Sequence, residues 1–465
     1  MKSPSAGQDE AAARSAERTP THRWALAALS LSMLLSSLGT SIANVGLPTL
    51  AQAFSASFQE VQWVVLAYLL AITTVIVSVG RLGDIIGRRR LLLAGISLFT
   101  AASVLCGVAP TLGLLIAARA AQGLGAAIMM ALTMAFVGET VPKAKTGSAM
   151  GLLGTMSAIG TALGPSLGGA LISGLGWRSI FLVNAPLGIA TLLLAYRYLP
   201  VDRHEPKADR PGFDHVGTLL LALTLAAYAL AMTMGRGTLL LAAAFGVGLF
   251  VLAEARAASP LVPLAMFREP ALSASLAMST LVSTVMMTTL VVGPFYLSRT
   301  LGLEEALVGL VMSVGPLAAA LTSAPAGRIT DRFGAQRMTI VGLIGIAAGS
   351  FVLSMLSAAV GILGYLAPIV VITVGYAVFQ TANNTAVMTD IRPDQRGVTS
   401  GMLNLSRNLG LVTGTSVMGA VFALAGMRVT FAVAAILIVV ATAIAVGSRA
   451  LGGGDSSGVS GWPRT

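Results

Sequence analysis

The sequence predicts an all-α polytopic membrane protein: two bundles of six membrane helices, plus two helices inserted between them, fourteen in all. Three observations lead there. Apolar runs of about 20 residues, the length a helix needs to cross the hydrocarbon core, recur along nearly the whole 465-residue chain. Hydrophobic residues make up 55% of the chain and charged residues only 10%, against about 25% in a soluble domain. Two stretches of the first half return in the second at almost the same offset.

The spans fall at about 24–46, 60–80, 91–109, 112–136, 147–172, 178–199, 216–234, 238–255, 272–297, 304–326, 338–356, 360–386, 398–425 and 428–448. Residues 1–22 are polar and mixed in charge, without the apolar core of a secretory signal, and read as a disordered cytoplasmic tail. Residues 23–199 form the N-terminal bundle, 200–268 a linker with two inserted helices, and 269–448 the C-terminal bundle. Residues 449–465, rich in Gly and Ser, read as a second tail.

The net charge of +11 is not a nucleic-acid patch, because the basic residues sit in alternate loops. One set of loops holds Arg88, Arg89, Arg90, Lys143, Lys145, Arg203, Lys207, Arg210, Arg256, Arg268, Arg328, Arg332, Arg337, Arg392 and Arg396. The opposite set holds Arg178, Arg236, Arg299 and Arg428. Lys and Arg favour the cytoplasmic side, so this asymmetry puts both termini in the cytoplasm of a multi-pass protein of the inner (plasma) membrane. The single cysteine, Cys106, excludes an intrachain disulfide. No phosphate-binding loop, metal-ligand cluster or nucleophile triad appears, so hydrolysis and ATP-driven transport are not expected, and neither is a cofactor.

Gly80–Arg90 reads Gly-Arg-Leu-Gly-Asp-Ile-Ile-Gly-Arg-Arg-Arg between the second and third spans. Gly327–Arg337 reads Gly-Arg-Ile-Thr-Asp-Arg-Phe-Gly-Ala-Gln-Arg, 247 residues later. Gly80, Arg81, Asp84, Gly87 and Arg90 thus return as Gly327, Arg328, Asp331, Gly334 and Arg337. Gly147, Gly151, Gly160, Gly164 and Gly169 of the fifth span return as Gly397, Gly401, Gly410, Gly414 and Gly419 of the thirteenth, a shift of 250. Two equivalent halves related in this way are a transporter arrangement, with the substrate site between them.

Gly160, Gly164 and Gly168 are four apart, so they line one helix face and admit a neighbouring helix, while Pro165 removes a backbone donor and kinks the span. Arg119, with Gln122 beside it, lies within the apolar fourth span. A cation there costs about 2.5–3.5 kcal/mol on the insertion scale, so it is expected to face protein or a wet cavity. Polar residues sketch a cavity wall: Ser37, Thr40, Ser41 and Asn44 in span 1, and Tyr68, Thr73 and Thr74 in span 2. Span 9 adds Ser283, Thr284, Thr288 and Thr289, and span 12 adds Tyr376, Gln380, Asn383 and Asn384, with Arg407 in span 13. Hydroxyls in helices often bond their own carbonyls, so Asn44, Gln380 and Asn383 are the stronger candidates.

The first loop, with Gly80, Asp84, Gly87, Arg88 and Arg89, resembles the signature loop of the major facilitator superfamily. The fifth span, Gly151-x8-Gly160-x3-Gly164-Pro165-x2-Gly168-Gly169, is similar to that family's antiporter signature. Arg119-Ala-Ala-Gln122-Gly123-Leu-Gly125 is similar to its Arg-x-x-Gln-Gly-x-Gly, whose Arg the family links to proton coupling. Leu38-Gly39-Thr40-Ser41-Ile42-Ala43-Asn44-Val45, Trp177 to Gly188 and Phe250-x3-Glu254-x-Arg256-x3-Pro260 resemble the fourteen-helix drug:proton antiporter branch, the EmrB/QacA type. The resemblance covers about residues 24–448. It implies the major facilitator fold and a functional monomer that moves a small-molecule substrate across the lipid bilayer. It also implies alternating access, with secondary efflux of amphipathic drugs or antibiotics driven by a proton gradient. A dedicated transporter of one metabolite, or a weakly coupled facilitator, is the alternative. One position departs: the branch's first-span Asp is Gly39 here. None of the eighteen Asp and Glu lies at mid-depth of a span, which leaves proton coupling and cation preference open.

In the family this loop locks the halves together on the inside. Asp84 at the end of the second span can accept bonds from Arg groups and from a helix N-terminus. Asp84→Asn is therefore expected to insert normally and to slow turnover severely, measured as transport per molecule in membranes of matched protein level. Wild-type turnover would contradict it.

Overall fold

The computed structural model describes residues 5–140, 146–201, 214–257, 260, 267–356, 360–389 and 396–452. The first half comprises α1 (Ser5–Val45), α2 (Leu47–Ala53), α3 (Phe58–Val61), α4 (Trp63–Ile86), α5 (Arg88–Val108), α6 (Leu112–Thr140), α7 (Thr146–Leu175), α8 (Ser179–Leu182) and α9 (Asn184–Tyr198). The linker carries α10 (His215–Met234) and α11 (Gly237–Arg256). The second half comprises α12 (Pro270–Phe295) with a π-turn at Tyr296–Thr300, α13 (Glu305–Phe333), α14 (Ala335–Met355) and α15 (Gly361–Thr389). It ends with α16 (Arg396–Thr413), which runs through a second π-turn, Gly414–Met418, into α17 (Gly419–Gly452).

Among the described residues thirteen helices are long and apolar enough to cross a membrane, and the last, Gly401–Ser448, has 48 residues. A straight helix of that length would measure about 70 Å, twice the hydrocarbon core. Its backbone leaves the helix at Gly426 (φ 74°, ψ −177°), so it supplies the thirteenth and fourteenth expected spans. At the other terminus α1 begins at Ser5, inside the stretch read from sequence as a disordered tail. Ala, Glu and Arg between Glu10 and Arg18 are strong helix formers, and they carry the helix beyond its apolar part. Residues 453–465 of the second expected tail lie outside the described residues.

The two repeated loops share one backbone solution. Gly87 ends α4 at φ 106°, and Gly334 ends α13 at φ 87°. Both angles lie where a side chain is strained, so glycine lets the chain reverse there within one residue. The side chain of Asp84 and the surroundings of Gly80 lie outside the described residues. Arg89 donates to the Tyr196 carbonyl on α9 and stacks over the Tyr196 ring at 5.4 Å. Asp331, on the second loop, is exposed.

Close approach of backbones builds each half. A side-chain carbon at Gly125 on α6 would press on the Gly95 carbonyl and the Phe99 backbone of α5, and one at Gly375 on α15 on the Gly342 carbonyl of α14. The inserted helix α10 starts where Asp214 Oδ1 accepts from the Gly217 N–H (2.7 Å) and stops at left-handed Gly235. It is bonded to both halves. Thr218 Oγ1 lies 3.1 Å from Ser78 Oγ of α4, and Tyr228 Oη donates to Thr413 Oγ1 of α16 at 3.3 Å. Leu221 and Leu225 complete an apolar cluster with Leu272 and Leu276 of α12 and Leu403 and Leu405 of α16. Only 11% of the α11 span is buried, so α11 faces lipid.

The α5–α6 contact sets a test of packing. Gly125→Leu is expected to cost about 1–3 kcal/mol through overpacking. Gly248→Ala, in the interior of α11 where nothing lies within 4 Å of an added carbon, should instead stabilise by up to about 1 kcal/mol through the better helix former. Thermal unfolding of the purified protein checks both, and equal effects would refute the packing argument.

Candidate functional site

The candidate site is the contact between the halves, and α7 positions it. The ends of helices are named here by the Lys and Arg asymmetry, inner for the Gly80 loop and outer for the opposite end. Gly160, Gly164 and Gly168 lie against α1. An added carbon at Gly160 would press on the Leu34 carbonyl, one at Gly164 would overlap Ser41, and one at Gly168 would meet Val45 and Ile42. Hydrogen bonds stitch the same face: Ser37 Oγ to Ser157 Oγ at 2.7 Å, and Ser41 Oγ to the Gly160 carbonyl at 3.2 Å. Pro165 lies inside α7 with no N–H to give, and a side-chain carbon at Gly309 of α13 would press on its carbonyl. The surroundings of Gly151 lie outside the described residues.

Gly169 faces the other half. A carbon there would sit 3.0 Å from Gly309 Cα and against the Glu305 carbonyl of α13. The repeat reproduces this arrangement. Gly410 and Gly414 on the second copy lie against Thr280, Ser283, Thr284 and Met287 of α12, and Gly419 faces across to Gln62 of the first half. Gln62 and Gly309 are themselves 247 residues apart, so they hold equivalent positions. The two seams differ in chemistry. At Gly169 and Gly309 bare backbones touch. At Gly419 the buried Gln62 Nε2 donates to the Thr415 carbonyl, 3.1 Å away, inside the π-turn. Beside it Phe58 meets Phe295 at 4.6 Å and Phe422 at 5.6 Å between ring centroids. Both seams lie at the outer end. Nearer the inner end of the same helix pair, Gly154 and Gly327 have nothing within 4 Å of an added carbon.

Arg119 is fully buried inside the first half. Its Nε donates to the Val64 carbonyl (2.9 Å). Nη1 donates to the Gly39 carbonyl (3.0 Å) and to Gln122 Oε1 (2.5 Å). Gln122 Nε2 passes the chain on to Ser103 Oγ, and the guanidinium lies 4.1 Å from the Tyr68 ring centre. Nη2 is buried with no hydrogen-bond partner among the described residues. The charge is thus held by carbonyls, an amide and a ring. Gly39 accepts one of its bonds through its backbone carbonyl.

The expected cavity wall divides. Tyr68 is fully buried, its hydroxyl donating to the Ser36 carbonyl at 2.8 Å. Thr284 and Thr288 are buried and donate to carbonyls one turn back, Thr280 and Thr284. Asn383 Nδ2 crosses to the Ser275 carbonyl of α12 at 3.4 Å, and Asn44 Nδ2 donates to the Thr40 carbonyl at 3.0 Å. Thr40, Tyr376, Gln380 and Arg407 are half-buried, and Gln380 Oε1 has no hydrogen-bond partner among the described residues. Sequence reasoning passed over Gln62, whose signal was its register with Gly309. It also passed over the burial of Glu254, 3% exposed beside Gly217 on α10.

The sequence profile of the Major Facilitator Superfamily matches residues 29–415 and, overlapping, 291–459. The chain belongs to the major facilitator superfamily. It is a transport protein, not an enzyme. It is 33% identical over 416 residues to the multidrug resistance protein Stp of Mycobacterium tuberculosis, covering 86% of this chain and 75% of that one. It is 30% identical over 398 residues to the riboflavin transporter RibZ of Clostridioides difficile, covering 84% and 86%. A bacterial homolog of the human lysosomal transporter Spinster, solved inward-facing and unoccupied, shares the fold with a TM-score of 0.67 at 16% identity, over 93% of this chain and 98% of that one.

Removing the Gln62 bond tests the seam. Gln62→Ala should weaken outer closure by about 1 kcal/mol, the net worth of a neutral hydrogen bond. Labelling of a cysteine placed at Ser298, which lines the outer seam with Val45 and Glu305, should then quicken roughly five-fold in a Cys106→Ser background. An unchanged rate would refute the role of Gln62.

Proposed function

We propose that this superfamily member is a secondary efflux transporter, exporting amphipathic small molecules such as drugs in exchange for protons by alternating access. The observation that carries the reading is the α7 helix. Its glycine face is locked on α1, and Gly169 and the Pro165 carbonyl lie on the opposite half. A helix so placed joins the substrate pathway to the seam that must open for release. The similarity to a multidrug resistance protein supports export. Transport of one dedicated metabolite is the second reading, favoured by the similarity to a riboflavin transporter.

A dye panel in inverted vesicles separates these readings. Proton-driven efflux gives uptake of several unrelated amphiphiles that rises when the lumen is made acidic. Uptake of a single compound supports the metabolite reading, and uptake indifferent to the gradient supports a facilitator.

Substrate charge follows from Arg119 and Gly39. Among the described residues a permanent cation finds no acid beside Arg119, and a buried positive charge needs a partner. Neutral, zwitterionic or weakly acidic amphiphiles should therefore be exported better than quaternary ammonium dyes. A carbon at Gly39 would lie 3.1 Å from Tyr68 Oη and 3.2 Å from the Phe99 ring, on the side where Tyr68 covers Arg119. Gly39→Asp should thus offset the guanidinium and raise cation export relative to neutral export, at matched membrane level. Strong proton-driven export of ethidium-like cations by the unmodified protein would overturn the charge argument.

A further inference from the structure

We propose that the outer end of the second half carries a separate binding site for amphiphiles with an anionic head, phosphate or carboxylate. A cavity of about 690 Å³ opens there, within the range that holds small ligands. Phe58 and Gln59 of the first half roof it, and Phe295, Arg299, Phe422 and Arg428 of the second half line it. Its chemistry has two parts. The three Phe rings give an apolar wall for a short alkyl or aromatic body. The two guanidiniums give planar donor forks, the geometry that grips a phosphate or carboxylate by two bonds at once.

Both arginines are held in place by neutral partners. Arg299 lies over the Phe295 ring, 5.1 Å from its centre, and Arg428 Nε donates to the Leu356 carbonyl at 3.1 Å. No Asp or Glu lines the cavity, and no carboxylate pairs with either arginine among the described residues. The corner that carries Arg428 is set by Gly426 at φ 74°. Two of the four basic residues that the sequence assigns to outer loops therefore converge on one aromatic cavity. Phe58 also packs in the closed outer seam, so both halves bound the site. Its occupant should favour the state in which the outer end is shut. The occupant can be the headgroup of a surrounding lipid or a free anionic solute, and the two share this chemistry.

The test uses the full chain in nanodiscs of neutral phosphatidylcholine, with hexyl phosphate, hexyltrimethylammonium and inorganic phosphate as probes and the thermal unfolding midpoint as readout. Hexyl phosphate should raise the midpoint in a saturable way. Inorganic phosphate should do so at higher concentration, and hexyltrimethylammonium should not. In the Arg299→Gln/Arg428→Gln double variant the half-saturating concentration should rise about ten-fold or more, from the loss of charged hydrogen bonds. Arg178→Gln, an outer arginine stacked on Trp177 away from the cavity, should leave the response intact. If the double variant does not fold, Arg299→Gln alone carries the comparison. In nanodiscs containing phosphatidylglycerol, a lipid occupant would raise the starting midpoint in an arginine-dependent way and abolish the hexyl phosphate response, whereas a free-solute site would respond as before. Equal stabilisation by the two charged amphiphiles, or a double variant indistinguishable from wild type, would overturn the proposal.

Discussion

Close approach of helix backbones where no side chain intervenes is the constraint on which the rest of this structure depends. Inside a membrane the hydrophobic effect does not press helices together, so contact area and short-range packing must do it. Glycines at 160, 164 and 168 let α7 lie on α1, and those at 410 and 414 let α16 and the π-turn after it lie on α12. The serines and threonines at these faces add hydrogen bonds across the contact, such as Ser41 to the Gly160 carbonyl. One residue beyond Gly168 and five beyond Gly414, Gly169 and Gly419 turn to the opposite half and join the two. Packing within a half and closure between halves are thus written in one helix and its repeat.

Arg119 shows how a buried charge is kept without an acid. Carbonyls of α1 and α4, the Gln122 amide and the Tyr68 ring surround it. Each is a dipole or quadrupole turned to the cation, and together they replace part of its hydration. The arrangement ties three helices of the first half to one point. It also sets a positive charge against the Gly39 backbone with no carboxylate among the partners that hold it.

Much of this was legible in the sequence because it is periodic or local. Apolar run length gave the spans, and the shifts of 247 and 250 residues gave the equivalence of the halves. Gly87 and Gly334, matched in the repeat, both stand at sharp reversals. Other features rest on contacts between distant parts of the chain. The bond from Gln62 to Thr415 joins residues 353 apart and needs a π-turn that no local pattern announced. Tyr68 reads as a cavity residue from its polarity, yet its hydroxyl is consumed by a carbonyl of α1 and its ring by Arg119. The linker helices read as an insertion, but their sequence did not tell that α10 is bonded to both halves. That depends on which side of the bundle the linker wraps, and hydropathy is silent on it.

The unlike seams at Gly309 and Gln62 have a mechanical consequence. Dispersion between two bare backbones fades gradually as they separate and has little preference for direction. A hydrogen bond from an amide to a carbonyl is lost over a fraction of an ångström and tolerates little rotation. If the halves rock apart at the outer end, the Gly169–Gly309 side can roll while contact persists, whereas the Gln62–Thr415 side must release. One edge of the interface then works as a hinge and the other as a clasp, although the repeat made them from equivalent positions. The repeat supplies two equivalent edges, and a single side chain makes them unlike.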